Sequence, residues 1–168
     1  MTLAREPFVT SRMLDFTSAD ELTKQIGAST SDWPRVLVKE LTDNALDACE
    51  EAGSAPVIEI EFAGQVVTVT DRNGPGITSA MVDAVLDFGV RMSSREARVG
   101  PTRGAQGNAL KGIMMMAFAL DRSEPSRVEI EAQGVLHRIS IRIDMIAQLP
   151  RVNIERETSS VKAGSANR

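Results

Sequence analysis

The sequence ELTDNALDACEEAG, residues 40–53, has the periodicity of an amphipathic helix. One side of this helix is apolar and consists of Leu37, Leu41, Ala45, Ala48 and Ala52. The opposite side is polar and mostly acidic, and it consists of Glu40, Asp43, Asn44, Asp47 and Glu51. The pattern predicts a helix that begins near Asp32, tolerates Pro34 in its first turn and ends at about Gly53.

The acidic side of this helix allows two interpretations. Most such surfaces are simply solvated. Here, however, Asp43 has an acidic neighbour one helical turn away on each side, Glu40 and Asp47, and like charges at these spacings destabilise a helix. A bound cation would relieve the repulsion, and Asn44 adds a neutral oxygen of the kind that Mg²⁺ prefers together with substrate phosphates.

A β-hairpin is predicted next, and its second strand ends at another acidic residue. Apolar residues alternate along 57–63 and 66–70, on either side of a Gly64-Gln65 turn. Asp71 follows and precedes the glycine-rich sequence RNGPGI, residues 72–77. A carboxylate beside glycines can accept a hydrogen bond from an amino group such as that of adenine. The same sequence is equally typical of a plain turn with a capping aspartate.

A long loop at residues 89–106 is the third feature of interest. Loops of this length in a compact domain are usually lids or binding elements, or else they are disordered. Its last glycines, Gly104 and Gly107, lie just before a predicted helix, whose free N-terminal amides can bind phosphate oxygens. Four arginines add positive charge to the loop: Arg91, Arg95, Arg98 and Arg103. An ordinary flexible basic loop would have the same composition.

The remaining elements predict an α+β fold. Further helices are expected from Ser18 to about Gly27, over residues 78–88 and over residues 108–120, and strands over 126–132 and 135–144. Helices grouped against a mixed, mostly antiparallel sheet, all on one face of it, make a two-layer α/β sandwich.

Three segments are predicted along the chain. Residues 1–17 have no clear periodicity and are expected to form an N-terminal arm or strap. Residues 18–147 form the domain. Residues 148–168 have few large apolar side chains and are expected to be a polar tail without a packed role, or the start of a missing continuation.

The composition is that of an ordinary globular domain, with 42% hydrophobic and 25% charged residues in 168. A net charge of −4 argues against general coating of nucleic acid, and a single cysteine excludes an internal disulfide. The charged N-terminus is unlike a signal peptide, and the apolar run at residues 113–120 is too short to span a bilayer. We therefore expect a cytoplasmic protein without a membrane segment.

Taken in order, the three segments resemble the nucleotide-binding boxes of the Bergerat-fold (GHKL) ATPases, such as gyrase B, the ninety-kilodalton heat-shock chaperones, histidine kinases and MutL. Residues 40–48 resemble the first box, residues 71–76 the second and Gly104-x-x-Gly107 the third. Residues 41–53 and 103–107 are most similar to the B subunit of topoisomerase VI and its bacterial relatives. The resemblance covers roughly residues 11–145.

The resemblance implies a role for each box. Glu40 would be the general base that orients the attacking water, Asn44 would bind Mg²⁺, and Asp71 would contact the amino group of adenine. Gly74 and Gly76 would shape the pocket for the base. The other residues implied to contact ATP are Asp47, Asn73, Ile77, Ser93, Ser94, Arg103, Gly104, Ala105, Gln106, Gly107 and Asn108.

A Mg²⁺-dependent ATPase with a conformational output is therefore implied. In such proteins ATP closes a lid and promotes dimerisation, and residues 1–17 would be the strap that crosses to the second copy. A DNA-cleaving partner subunit and a role in DNA topology are implied as well. The residues themselves do not decide whether the chain contacts DNA.

Two features of the resembled family are expected to be missing. The family's domain continues into a strand with a Gly-Thr pair, whose threonine helps to hold adenine, and no such pair occurs before Arg168. In the topoisomerase branch, a following transducer domain also supplies a lysine to the γ-phosphate. Without that lysine we expect slow hydrolysis, because part of the electrostatic stabilisation of the transferring phosphoryl group is lacking.

Two other functions fit the same residues. The first is a protein kinase of the histidine-kinase or anti-sigma type, which shares the fold but transfers phosphate to a protein. The second is a nucleotide sensor that does not hydrolyse ATP, or a fragment of a larger ATPase. The carboxylate at Glu40 favours hydrolysis, because a kinase has less need of a group that orients water.

Several conspicuous residues are expected to be structural. His137 and Met114–Met116 lie in apolar patterns and are predicted to fill the core. Trp33 is predicted to anchor a helix start under the arm, and Cys49 to be a small buried residue and not a nucleophile. Lys111 is predicted to be a surface lysine, although it could reach a phosphate.

Overall fold

Four helices and six strands form the part of the chain that the computed structural model describes, namely residues 16–87, 109–144, 146, 149–162 and 165–167. The helices are α1 (Ala19–Ile26), α2 (Trp33–Ala52), α3 (Ser79–Val85) and α4 (Ala109–Leu120). The strands are β1 (Ile58–Ala63), β2 (Val66–Asp71), β3 (Ser126–Ala132), β4 (Val135–Asp144), β5 (Leu149–Thr158) and β6 (Ser165–Asn167). The predicted loop at 89–106 and nearly all of the predicted arm at 1–17 lie outside these ranges.

Three of the helices begin or end at residues that the sequence predicts as caps. The Ser18 hydroxyl caps α1 by accepting a hydrogen bond from a backbone N–H three residues later, at 3.2 Å. Gly27 and Gly53 end α1 and α2 in the left-handed region, at φ 73° and 64°. Thr78 caps α3, which ends at Val85, earlier than the sequence pattern predicts.

The strands form one sheet in the order β1-β2-β6-β3-β4-β5. Both predicted hairpins are present, with Ile58 opposite Asp71 in the first. The β3–β4 turn has φ values of 50° at Gln133 and 81° at Gly134, and both are positive, as a type I′ turn requires. The predicted α+β two-layer sandwich is confirmed. The strand pairs within the described ranges are all antiparallel, so the sheet is not mixed there.

The last segment of the chain does not behave as its composition predicts. β5 pairs with β4 from Leu149, opposite Asp144, to Thr158, opposite Val135. Val152 and Ile154 of this strand pack against the core. An edge strand needs only a few apolar side chains, here two at alternate positions, because it covers little of the core and its second face is exposed to water. The prediction that this segment lacks a packed role is therefore wrong for β5.

The helices cover one face of the sheet. The core consists of buried side chains from the four helices, β3 and β4, including Leu22, Trp33, Val82, Met114, Met115, Met116, Phe118, Ile130, Ile139 and Ile141. On the opposite face Arg138 donates hydrogen bonds to Glu129 and Glu157. The core positions predicted for Met114–Met116 are confirmed. Trp33 is buried in the core at the start of α2, while nearly all of the arm predicted to lie over it is outside the described residues. No helix in the described part of the chain is long and apolar enough to cross a membrane.

Candidate functional site

The Asp71 carboxylate is buried at the end of β2, where the side chain is 3% exposed. Its Oδ1 atom accepts hydrogen bonds from the backbone N–H groups of Gly74, at 2.9 Å, and Asn73, at 3.1 Å. The Cys49 thiol of α2 donates to the same oxygen at 3.3 Å. The buried carboxylate therefore has a fixed orientation, as a group that recognises a ligand needs.

Gly74 allows the second carboxylate oxygen to lie directly against the backbone. A Cβ atom at position 74 would be 1.7 Å from Oδ2 of Asp71, far inside any van der Waals contact. The Gly74 backbone is not in the left-handed region, so the requirement for glycine is one of space. This close approach is what the glycine-rich sequence after Asp71 provides.

The rest of the turn is held by contacts from distant parts of the chain. The Asn73 amide donates to the Ala55 carbonyl at 2.9 Å. The Gln133 amide donates to the carbonyls of Pro75 and Gly76, at 2.9 and 3.3 Å. Gly76 has φ 71°, which glycine adopts without strain. The sequence predicts the turn at Gln133 but not this contact, since no local pattern links the two turns.

Ile77, another predicted contact of the nucleotide, packs against the hydrophobic core. It lies between the turn and α3 in the chain. The ring nitrogens of His137 are 3.2 Å from the Ile130 carbonyl oxygen and 3.0 Å from the Ser79 hydroxyl. The His137 side chain is fully buried, which confirms its predicted structural role and ties β4 to the start of α3.

Cys49 joins α2 to the end of β2. It is fully buried, as predicted, and burial raises the pKa of its thiol, so that the thiol stays protonated and can donate to Asp71. Glu40 and Asn44 lie earlier on the same helix, roughly 13 Å and 7 Å from Cys49 along its axis at the usual helical rise. The contact thus ties α2 to the carboxylate at the end of β2.

The acidic side of α2 is partly covered. The side chains of Glu40 and Asp43 are 22% and 20% exposed, so neither is fully solvated. The Lys39 ammonium lies 3.3 Å from the Glu40 carboxylate and 2.8 Å from the Asp43 carboxylate. The hydrogen bond to Asp43 raises the pKa of Lys39. The predicted repulsion on this helix is therefore already relieved by a lysine, and it no longer argues for a bound cation.

Asn44 and Asp47 are half-buried on the same side of α2. Within the described ranges, no three acidic, histidine or cysteine side chains form a group that could hold a metal ion. A Mg²⁺ ion at Asn44 would need further oxygens, such as those of a substrate phosphate. Between Glu40 and Asn44, the Thr42 hydroxyl is fully buried without a hydrogen bond, a further sign that this part of α2 is polar and enclosed.

Lys111 is buried, which contradicts its prediction as a surface lysine. Its side chain is 2% exposed, and its ammonium donates to the backbone carbonyl of Asp87, just after α3. Burial lowers the pKa of Lys111, and the Asp87 carboxylate partly opposes that effect. The lysine lies in the first turn of α4, so it links the end of one helix to the start of the next.

The predicted third box lies outside the described residues, and so do the predicted lid serines. These residues are Ser93, Ser94, Arg103, Gly104, Ala105, Gln106, Gly107 and Asn108. Their predicted contacts with phosphate or ribose stay predictions. The structure does place the start of α4 at Ala109, directly after them.

The short strand β6 lies beside Asp71. This strand lies between β2 and β3, and Ser165 is the residue opposite Asp71 in the β2 ladder. The sequence there is Gly164-Ser165, not the Gly-Thr pair that the resemblance leads one to seek. Ser165 thus occupies the register position next to Asp71.

Comparison with known proteins points to one group of relatives. The chain is 33% identical over 134 residues to the B subunit of type 2 DNA topoisomerase 6 from Halobacterium salinarum, in a match that covers 75% of this chain and 16% of that protein. It is 30% identical over 167 residues to the B subunit of the same name from Natronomonas pharaonis, covering 94% of this chain and 20% of that protein. The chain is thus similar to one part of the topoisomerase VI B subunit. No protein-family model matches it.

A third such relative, from Pyrococcus horikoshii, is 34% identical over 114 residues. The chain spans 16 to 20% of the length of these topoisomerase VI B relatives. The likeness therefore concerns one part of a much longer protein. Since the matches to the first and third relatives cover 75% and 65% of this chain, they include most of the described domain.

Proposed function

We propose that this chain is a topoisomerase VI B-like nucleotide-binding module that binds ATP with Mg²⁺ and hydrolyses it, with a conformational change as its output. The observation that carries the proposal is the Asp71 carboxylate. It is buried, fixed through Oδ1 and pressed against Gly74, at the end of an interior strand in a chain whose sequence is similar to the topoisomerase VI B subunit.

Recognition of adenine is proposed for the Asp71 end. A carboxylate accepts hydrogen bonds and cannot donate them, so it favours a base that presents an amino group. Gly74 leaves room for the Asp71 carboxylate, and Gly76 is proposed to leave room for the flat base. Gln133 and Asn73 keep their turn in place. Ser165 occupies the register position next to Asp71. A purine with a carbonyl in place of the amino group would meet the carboxylate oxygen with its own lone pairs.

Water activation is proposed for Glu40. A half-buried carboxylate on α2 is suited to orienting water and accepting its proton, and general-base catalysis contributes about 100- to 10,000-fold. Asn44, one turn later, would hold Mg²⁺ together with phosphate oxygens. When bound, Mg²⁺ neutralises charge that develops on the phosphate. The backbone of residues 104–108, directly before α4, is proposed to hold the phosphates.

The relatives' name describes one component of a DNA topoisomerase. We propose by analogy that nucleotide binding here promotes dimerisation through residues 1–17, with Ser93 and Ser94 in a lid. We also propose that the module acts in DNA transactions beside a DNA-cleaving subunit. The physical reason is that ATP hydrolysis can drive a movement only if the ATP-bound and product-bound conformations make different contacts with a partner.

The decisive experiment measures ATP binding and ATP hydrolysis separately. Calorimetry of the 168-residue chain with Mg²⁺ and ATP gives the affinity, and phosphate release gives the rate. We expect Glu40→Gln to bind ATP within about threefold of the wild type but to hydrolyse it at least about 100-fold more slowly. Glu50→Gln, an exposed acid on the same helix, is the matched control and should change neither quantity.

Other outcomes would identify a different function. Wild-type binding without any phosphate release, in the presence of a DNA-cleaving partner as well, would indicate a sensor. Transfer of labelled γ-phosphate to a protein would indicate a kinase. The absence of any heat when adenine nucleotides are titrated into folded protein would contradict the proposal altogether.

A further inference from the structure

We propose that Cys49 is a positioning residue for Asp71. Its thiol, together with two backbone amides, holds one carboxylate oxygen so that the other faces the amino group of the bound purine. The inference rests on the proposed function, because it takes Asp71 to be the group that recognises adenine. It adds a residue that sequence analysis assigns to the core alone.

The hydrogen bonds to Asp71 are distributed unevenly between its two oxygens. Donors from Cys49, Asn73 and Gly74 all end on Oδ1, at 3.3, 3.1 and 2.9 Å. Among the described residues, none donates to Oδ2. Within the described ranges, the Thr42 hydroxyl is the one fully buried polar side-chain atom that lacks a hydrogen bond. Because Oδ2 of Asp71 also lacks a hydrogen bond, it is not fully buried and keeps some contact with solvent. Oδ2 is therefore the oxygen left for a ligand.

Gly74 restricts the same carboxylate from the other side. Oδ2 lies where a Cβ atom at position 74 would be, 1.7 Å away. The carboxylate cannot rotate without losing donors at Oδ1, and three donors on one oxygen use its acceptor capacity fully. The side chain is thus oriented by Cys49 and the backbone together, with Gly74 leaving the space.

A thiol suits this position for two physical reasons. The Cys49 thiol stays protonated because burial raises its pKa, so it remains a donor beside a carboxylate. Sulfur also forms longer hydrogen bonds than oxygen, and the 3.3 Å contact spans the gap between α2 and the end of β2. The contact also connects the helix of Glu40 and Asn44 to the base-recognising end.

The test compares two nucleotides that differ in one group. ATP and purine riboside triphosphate, which has a hydrogen in place of the amino group, are titrated with Mg²⁺ into the full chain. Cys49→Ala should reduce the preference for ATP about fivefold, since a hydrogen bond contributes about 1 kcal/mol net. Cys49→Ser, which keeps a donor, should restore part of the preference. In an Asp71→Asn background, Cys49→Ala should leave the ratio unchanged.

A second measurement does not depend on nucleotide. Hydrogen exchange at the amides of Asn73 and Gly74, which share the acceptor with Cys49, should become at least about threefold faster in Cys49→Ala. Amides of β4 serve as the reference. If Cys49→Ala weakens both nucleotides equally and leaves these amides unchanged, the positioning role is wrong while the ATPase proposal stands. If the wild type binds neither nucleotide, the proposed function fails, and the exchange data alone decide whether Cys49 orients Asp71.

Discussion

The end of β2 and the acidic side of α2 both present carboxylates, but they hold them in opposite ways. Asp71 is 3% exposed and is oriented by two backbone amides and a buried thiol. Glu40 and Asp43 are about a fifth exposed and share the ammonium of Lys39, whose side chain is 60% exposed. One carboxylate is part of the folded framework, and the other two are paired with a group that water can replace.

This difference matches the two tasks proposed for the site. Recognition of a base benefits from a carboxylate whose direction is set before the ligand arrives, because little ordering entropy is then lost on binding. A carboxylate that orients water must exchange its partner during each reaction cycle. A buried, fully satisfied Glu40 would be less able to do this than the partly exposed group that the structure shows.

The largest effect is expected from Gly74→Ala. Its Cβ atom would collide with Oδ2 of Asp71, so the carboxylate or the turn must move, at a cost of about 2–3 kcal/mol in the free energy of unfolding. Gly112→Ala is the matched control. Gly112 lies inside α4, and its Cβ would be 3.8 Å from the Leu22 side chain of α1, an ordinary van der Waals distance. Because alanine favours a helix interior more than glycine does, the change should stabilise the protein by about 1 kcal/mol. Urea unfolding measures both, and similar destabilisation by the two changes would remove the contrast.

A smaller effect, visible only at alkaline pH, is expected from Lys111. Burial lowers the pKa of Lys111 below its ordinary value of 10.5, so the unfolded chain binds this proton more tightly than the folded one. The free energy of unfolding should therefore rise with pH between the folded-state pKa and 10.5. Lys111→Met should lose that rise, whereas Lys39→Met should keep it. Parallel stability curves for Lys111→Met and the wild type would show that the ammonium is not desolvated.

The smallest effect is expected from Lys39→Met. Exposed ion pairs contribute about 0.2–1 kcal/mol, and salt screens them, so the loss in unfolding free energy should be at most about 0.5 kcal/mol and should vanish in about 1 M NaCl. Lys24→Met, which removes another exposed pair with Glu21, gives the comparison on α1. A large loss that resists salt would mean that the acidic side of α2 is held as rigidly as Asp71.

Local patterns predicted much of the fold. The two sides of α2, the caps at Ser18 and Thr78 and the hairpin turns at Gly64 and Gln133 depend on residues a few positions apart, where periodicity and turn chemistry act directly. The edge strand β5 was missed for the opposite reason. Its few apolar residues do not indicate a strand by themselves, because the strand is stabilised by pairing with β4.

The same distinction between local patterns and long-range contacts applies to the candidate site. From the sequence alone, the acidic helix and an aspartate at a strand end before glycines are determined, because each is a local pattern. Tertiary structure decided that Cys49 meets Asp71 across 22 residues, that Gln133 holds the turn at Pro75 across 58, and that Lys111 is buried against Asp87 across 24. Such contacts depend on how helices and strands pack together, and burial and hydrogen-bond partners are properties of that packing and not of any short stretch of chain.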